Sequence, residues 1–249
     1  MNLNLKYNQM PLFALMSGIL GALLRFWLYA TGIDESGLLV PIHFAGVVLT
    51  LLCVATIGII LWVCRNFPGQ GKYSTQYPAC TRGGIGAFAG SIGLVLTSML
   101  ELVRKEAFFA TLTGVFGLVA AVALLFTGLC RLKGLRPHWG FHSVVCLYFV
   151  IRLISRYQIW SSDPQLADYC FQLLATVCAM LFSYHRASLD AKAARRRRLV
   201  ILGLLGGFLC CLSVTASDAP LLYAGLAVWM LTNLGTLDVT ASVPTEENE

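Results

Sequence analysis

Eight long apolar runs, parted by short polar stretches, make up almost the whole chain. They fall near 10–30, 41–64, 83–100, 107–129, 138–158, 166–186, 199–217 and 219–237. A bilayer core takes about 20 apolar residues in a helix, and each run meets or approaches that length. The runs lack the strict alternation of barrel strands, and lipid admits no other open backbone. The pattern therefore predicts an all-α integral membrane protein, an eight-helix transmembrane bundle. Asp218 and its neighbours alone join the last two runs, and Pro220 opens the final helix, where its missing N–H costs nothing. The first run is too long for a signal-peptide core, contains Arg25 and lacks an A-x-A site, so it reads as a retained span.

Composition agrees. Of 249 residues, 57% are hydrophobic and only 12% charged, where a soluble domain carries about 25% charged residues. No polar stretch is long enough to bury a core of its own. Residues 1–237 are expected to be one multi-pass domain, and 238–249 an acidic cytoplasmic tail without fixed structure. The nine cysteines show no CxxC pair and lie mostly inside apolar runs, where a thiol acts as a small hydrophobe.

Charge sets direction. With the N terminus inside, the inner side holds Lys6, Arg65, Lys72, Arg82, Arg131, Lys133, Arg136, Arg186, Lys192 and Arg195 to Arg198. That makes thirteen basic residues, against Arg104, Lys105 and Arg156 outside. The positive-inside rule then places both termini in the cytoplasm and the protein in the plasma membrane. Trp27 and Trp160 fall near outer helix ends and Trp62 and Trp139 near inner ends, as indole prefers, while Trp229 is mid-span. The cluster Lys192, Arg195, Arg196, Arg197 and Arg198 is expected either to anchor the topology or to meet anionic lipid headgroups, at about 1 kcal/mol per residue. No soluble module accompanies it, so nucleic acid is not an expected partner.

Spans one to four and five to eight also align. "LRFWLYATGIDESGLL" ends span one and "IRLISRYQIWSSDPQL" ends span five, each with an arginine before an aromatic and acidic outer turn. Spans three and seven each carry small residues four apart, Gly86 with Gly90 and Gly203 with Gly207, a spacing that lets helix backbones approach. The halves, 1–129 and 130–237, are expected to form a parallel repeat with a two-fold axis along the membrane normal.

The chemistry lies in the charges within spans. Arg25 and Arg152, with Arg156 a turn beyond Arg152, fall at matching depth and are expected to share an outward-opening cavity. Guanidinium groups there suit a carboxylate, phosphate or lipid head. Snorkelling to the outer headgroups, or pairing with Asp34, Glu35 or Asp163, is the competing reading. Glu101, Asp168 and Asp218 sit at span ends, so no deep carboxylate is expected, which argues against a proton-driven carrier. In "HWGFH", His138 and His142 stand four apart, a metal-chelating spacing that lacks a third ligand and a helping carboxylate. Motifs for zinc proteases, serine hydrolases and P-loops are missing. No enzymatic activity and no cofactor are expected.

The leading expectation is a protein that binds or transports a small, anionic solute in its outer half. The second is a non-transporting assembly, sensory or regulatory subunit with a protein partner at its basic cytoplasmic face. The third is an intramembrane metal-dependent enzyme using His138 and His142.

Overall fold

A computed structural model describes residues 3–32, 43–65, 81–104, 108–160, 169–191, 196–215 and 217–235, with side chains from residue 9 onward except at 104, 159 and 160. These residues form eight helices: α1 (Leu3–Thr31), α2 (Phe44–Cys64), α3 (Thr81–Arg104), α4 (Phe108–Leu132), α5 (Trp139–Trp160), α6 (Cys170–Asp190), α7 (Arg196–Val214) and α8 (Pro220–Gly235). Five of them, α1, α2, α3, α4 and α7, are long and apolar enough to cross a membrane. At 16 residues α8 is shorter. Polar side chains such as Arg152, Arg156, Gln172 and Arg186 dilute the apolar character of α5 and α6.

The two least amphipathic apolar helices of the C-terminal half sit innermost. α8 packs on α3, α7 and α1, and α7 packs on α6, α8 and α1. The chain from α3 to α7 then runs neighbour against neighbour around α8. α2 lies outermost, against α1 and the edge of α7. Its face with Phe44, Val47, Leu51, Val54 and Trp62 is exposed. The end where α1 begins and α8 finishes is called the inner end, after the expected orientation, and the opposite end the outer.

Glycine makes the central crossings possible. A Cβ on Gly93 would lie 2.7 Å from the Leu221 carbonyl oxygen, and one on Gly225 would lie 2.8 Å from that of Ala89, so α3 and α8 touch backbone to backbone. Gly86 faces Thr232, and Gly90 faces Leu124 and Trp229. On α7, Gly203 faces Leu234 and Phe182, and Gly207 faces Leu231. The packing does not follow the expected two-fold between 1–129 and 130–237. α3 packs closely on α8, yet its counterpart α7 is not among the helices packed on α4 in the described residues. The close α3–α8 crossing depends on Gly93 and Gly225.

Buried hydroxyls mostly satisfy themselves on their own helix. Thr113, Thr127, Thr176, Ser183 and Ser213 each donate to the carbonyl four residues back. The groups that need tertiary partners are therefore the charged ones, and they gather at two levels.

Candidate functional site

Five arginines are buried among the described residues: Arg25, Arg131, Arg152, Arg186 and Arg196. Arg25 and Arg152 lie toward the outer end, the other three toward the inner end.

The outer level is built on α5 and α3. Arg152 donates from Nη1 to Glu101 Oε1 at 2.5 Å, and Tyr148 Oη lies 3.5 Å from the same nitrogen. Arg156, one turn on, donates from Nη2 to the same Glu101 oxygen at 3.1 Å and from Nη1 to Asp218 Oδ2 at 2.9 Å, tying the α7–α8 turn to α5. One carboxylate oxygen thus serves two guanidinium groups. Its sister, Glu101 Oε2, is buried without a hydrogen-bond partner among the described residues, as are Arg152 Nε and Ser98 Oγ. Ser98 stands three residues before Glu101 on the same face of α3. The polar level continues through Tyr223 of α8, whose hydroxyl lies 3.3 Å from Thr176 Oγ1 of α6, to the buried Gln172 one turn before it. Arg25 lies against this level from α1. It donates from Nη1 to the Leu212 carbonyl at 3.1 Å and sits over the rings of Tyr29 and Phe171.

These placements revise several expectations. Arg25 and Arg152 both turn into the protein rather than snorkel to the headgroups. Arg25 donates to a backbone carbonyl of α7, whereas Arg152 donates to the Glu101 carboxylate. Arg152 finds its carboxylate on α3, through Glu101. Asp34, Glu35 and Asp163, the partners weighed from sequence, fall outside the described residues. Glu101, read as a span-end residue, is buried, because α3 continues one turn past it.

The inner level holds what the sequence reading missed. His142 is buried on α5, with Nδ1 2.8 Å from Asp190 Oδ2 at the end of α6. Its ring stacks on Trp229 of α8, centroids 6.3 Å apart. Arg136 donates to the backbone carbonyl oxygens of Leu189 and Asp190, capping α6. Arg131 of α4 rests against Gly83, where a Cβ would lie 3.2 Å from its Nη2. A carboxylate therefore does support His142, contrary to expectation. The signal was present in register: Gln172, Thr176, Ala179, Ser183, Arg186 and Asp190 recur at alternating steps of four and three, and all are buried.

His138 does not join His142 in a chelating pair. It precedes α5 and accepts from the Gly140 backbone N–H through Nδ1 at 3.1 Å, so it caps the helix instead of lying on its face. Among the described residues no group of three His, Cys, Asp or Glu side chains is placed to hold a metal ion. In the basic cluster, Arg197 and Arg198 are exposed, but Arg196 is buried and does not face lipid. It opens α7 on the face that carries Leu199, Val200 and Gly203 into the core. Lys192 and Arg195 fall outside the described residues.

Comparison of the chain with known protein families, curated proteins and solved structures finds no match.

Proposed function

We propose that the protein crosses the membrane eight times with both termini in the cytoplasm, and that it binds and passes a small polar solute bearing an anionic group through the outer polar level. The observation that carries this reading is the set of buried polar atoms around Glu101. Two donors, on Arg152 Nε and Ser98 Oγ, and one acceptor, Glu101 Oε2, have no hydrogen-bond partner among the described residues. Burial of such atoms costs about 1–3 kcal/mol each unless a partner comes. A carboxylate-bearing solute with a donor of its own would meet all three. Intramembrane charges of this kind commonly mark a solute path. The excess of basic residues on the N-terminal side supports the orientation.

Native mass spectrometry of the purified protein, followed by uptake assays in proteoliposomes with the solute so identified, tests this. A small retained mass that is absent from the folded fraction of Arg152→Gln is expected. Wild-type protein that retains nothing but lipid would overturn the reading. A stoichiometric protein partner in its place would favour a non-transporting subunit with the exposed Arg197 and Arg198 at its contact face.

A further inference from the structure

On α7, Arg198, Leu202, Leu205, Leu209 and Leu212 follow steps of four, three, four and three, so they share one face of the helix. Along that face burial falls toward the inner end. Leu212 and Leu209 are buried, Leu205 and Leu202 are half-buried, and Arg198 is exposed. The neighbouring helices explain the gradient. At the outer end α1 and α6 close over the stripe: Arg25 of α1 donates to the Leu212 carbonyl and lies over the Phe171 ring of α6. Gly21 of α1 also lets that helix settle on the Leu212 side chain. Toward the inner end the stripe is left partly uncovered, as a furrow floored by Leu202 and Leu205. From Arg198 to Leu205 it runs about 10 Å. Its mouth is basic. Arg197 and Arg198 are exposed in the first turn of α7, and the exposed Arg65 caps α2. Arg197 lies within electrostatic reach of Cys64 on α2, and Arg198 within reach of His185 on α6. Among the described residues Arg65, Arg197 and Arg198 make no ion pair. The adjoining stretches 66–80 and 192–195 contain no Asp or Glu.

We propose that this furrow binds one anionic phospholipid, with its phosphate on Arg197 and Arg198 and an acyl chain lying over Leu202 and Leu205. Charge complementarity and the shape of the stripe identify the occupant together. Guanidinium groups hold phosphate through paired hydrogen bonds. Like charges gathered at the mouth repel one another, and an anion between them offsets the repulsion. The floor then runs from those charges directly into the apolar part of the bundle, which matches a molecule with a charged head and a hydrocarbon tail. A soluble phosphate ester would use the arginines and leave Leu202 and Leu205 unused. A protein partner at the same arginines would have to enter hydrocarbon to reach that floor. Arginines that only anchor the topology need the charge but not the furrow. The site lies on α7, apart from Glu101 and Arg152, and stands without the solute reading.

The test uses the full chain, stripped of lipid in detergent and titrated with phosphatidylglycerol or with phosphatidylcholine of identical chains, and read by native mass spectrometry on the folded fraction. Wild type should retain one phosphatidylglycerol about tenfold more tightly than phosphatidylcholine, the scale of effect that basic residues at a headgroup produce. Arg197→Gln combined with Arg198→Gln should bring the two lipids close to parity. Arg82→Gln combined with Lys133→Gln removes as much exposed charge from the ends of α3 and α4 and should leave the preference in place. Leu202→Trp fills the furrow while keeping both arginines, and should weaken phosphatidylglycerol severalfold. Glycerol phosphate, which has the charge without the chains, should not be retained. Equal affinity of wild type for the two lipids would overturn the proposal. So would an equal loss in the Arg82 and Lys133 variant, undiminished binding in Leu202→Trp, or glycerol phosphate held as firmly as the lipid. A protein partner lost with Arg197 and Arg198, without any lipid preference, would overturn it too. A phospholipid and a small solute differ in mass, and Arg152→Gln should leave the lipid bound, so failure of one reading is distinct from failure of the other.

Discussion

At the scale of single residues, burial of arginine dominates the energetics. Five guanidinium groups lie inside a small bundle, and each requires compensation because an uncompensated buried charge is expensive. The Arg152–Glu101 pair makes this measurable. Glu101→Gln leaves Arg152 and Arg156 facing each other across a neutral amide and should lower stability by about 3 kcal/mol. The double variant Glu101→Leu with Arg152→Met, which removes both charges and keeps the volume, should recover most of that loss. Denaturation of the purified variants in mixed detergent micelles gives both numbers. Equal stability of Glu101→Gln and wild type would mean that the pair contributes nothing. This pairing was not legible from local sequence, since Glu101 and Arg152 are brought together by folding alone.

At the scale of helices, glycine position decides which surfaces meet. Gly90→Leu and Gly207→Leu put a branched side chain where even a Cβ finds Trp229 or Leu231 in the way, and should cost at least about 2 kcal/mol through overpacking. Gly58, in the middle of α2, is exposed, and a Cβ there would meet nothing within 4 Å. Gly58→Ala should therefore be neutral or raise stability by up to about 1 kcal/mol, the propensity gain alone. Thermal melts monitored by circular dichroism separate the two classes. Comparable losses at all three sites would place α2 inside the bundle instead of at its rim. The small-residue spacing in spans three and seven was readable as a contact signal. Gly93 and Gly225, which carry the backbone contact between α3 and α8, were not, because their partners are set by which helices become neighbours.

For the whole molecule, the proposed direction of the chain across the membrane rests on charge. Single cysteines introduced on a cysteine-free background at 134 and 192 should resist an impermeant reagent added outside sealed cells and react once the membrane is opened. Labelling at 192 from outside would reverse the proposed orientation. The basic count that motivates it treats Arg131, Arg186 and Arg196 as loop charges, yet all three are buried in the protein. They weigh on the inner end as part of its packing as well as on the direction of insertion.

Apolar runs and their breaks, taken alone, determined the helical class and the number of helices among the described residues, with ends displaced by up to about one turn and by about two turns at the start of α1, because hydrogen bonding within each run and the hydrophobic effect act locally along the chain. Only the tertiary structure decided that Arg152 pairs with Glu101, that α3 crosses α8, and that Asp190 stands beside His142. Those outcomes depend on which faces of distant helices meet, and helical periodicity states which residues share a face but not what that face will touch.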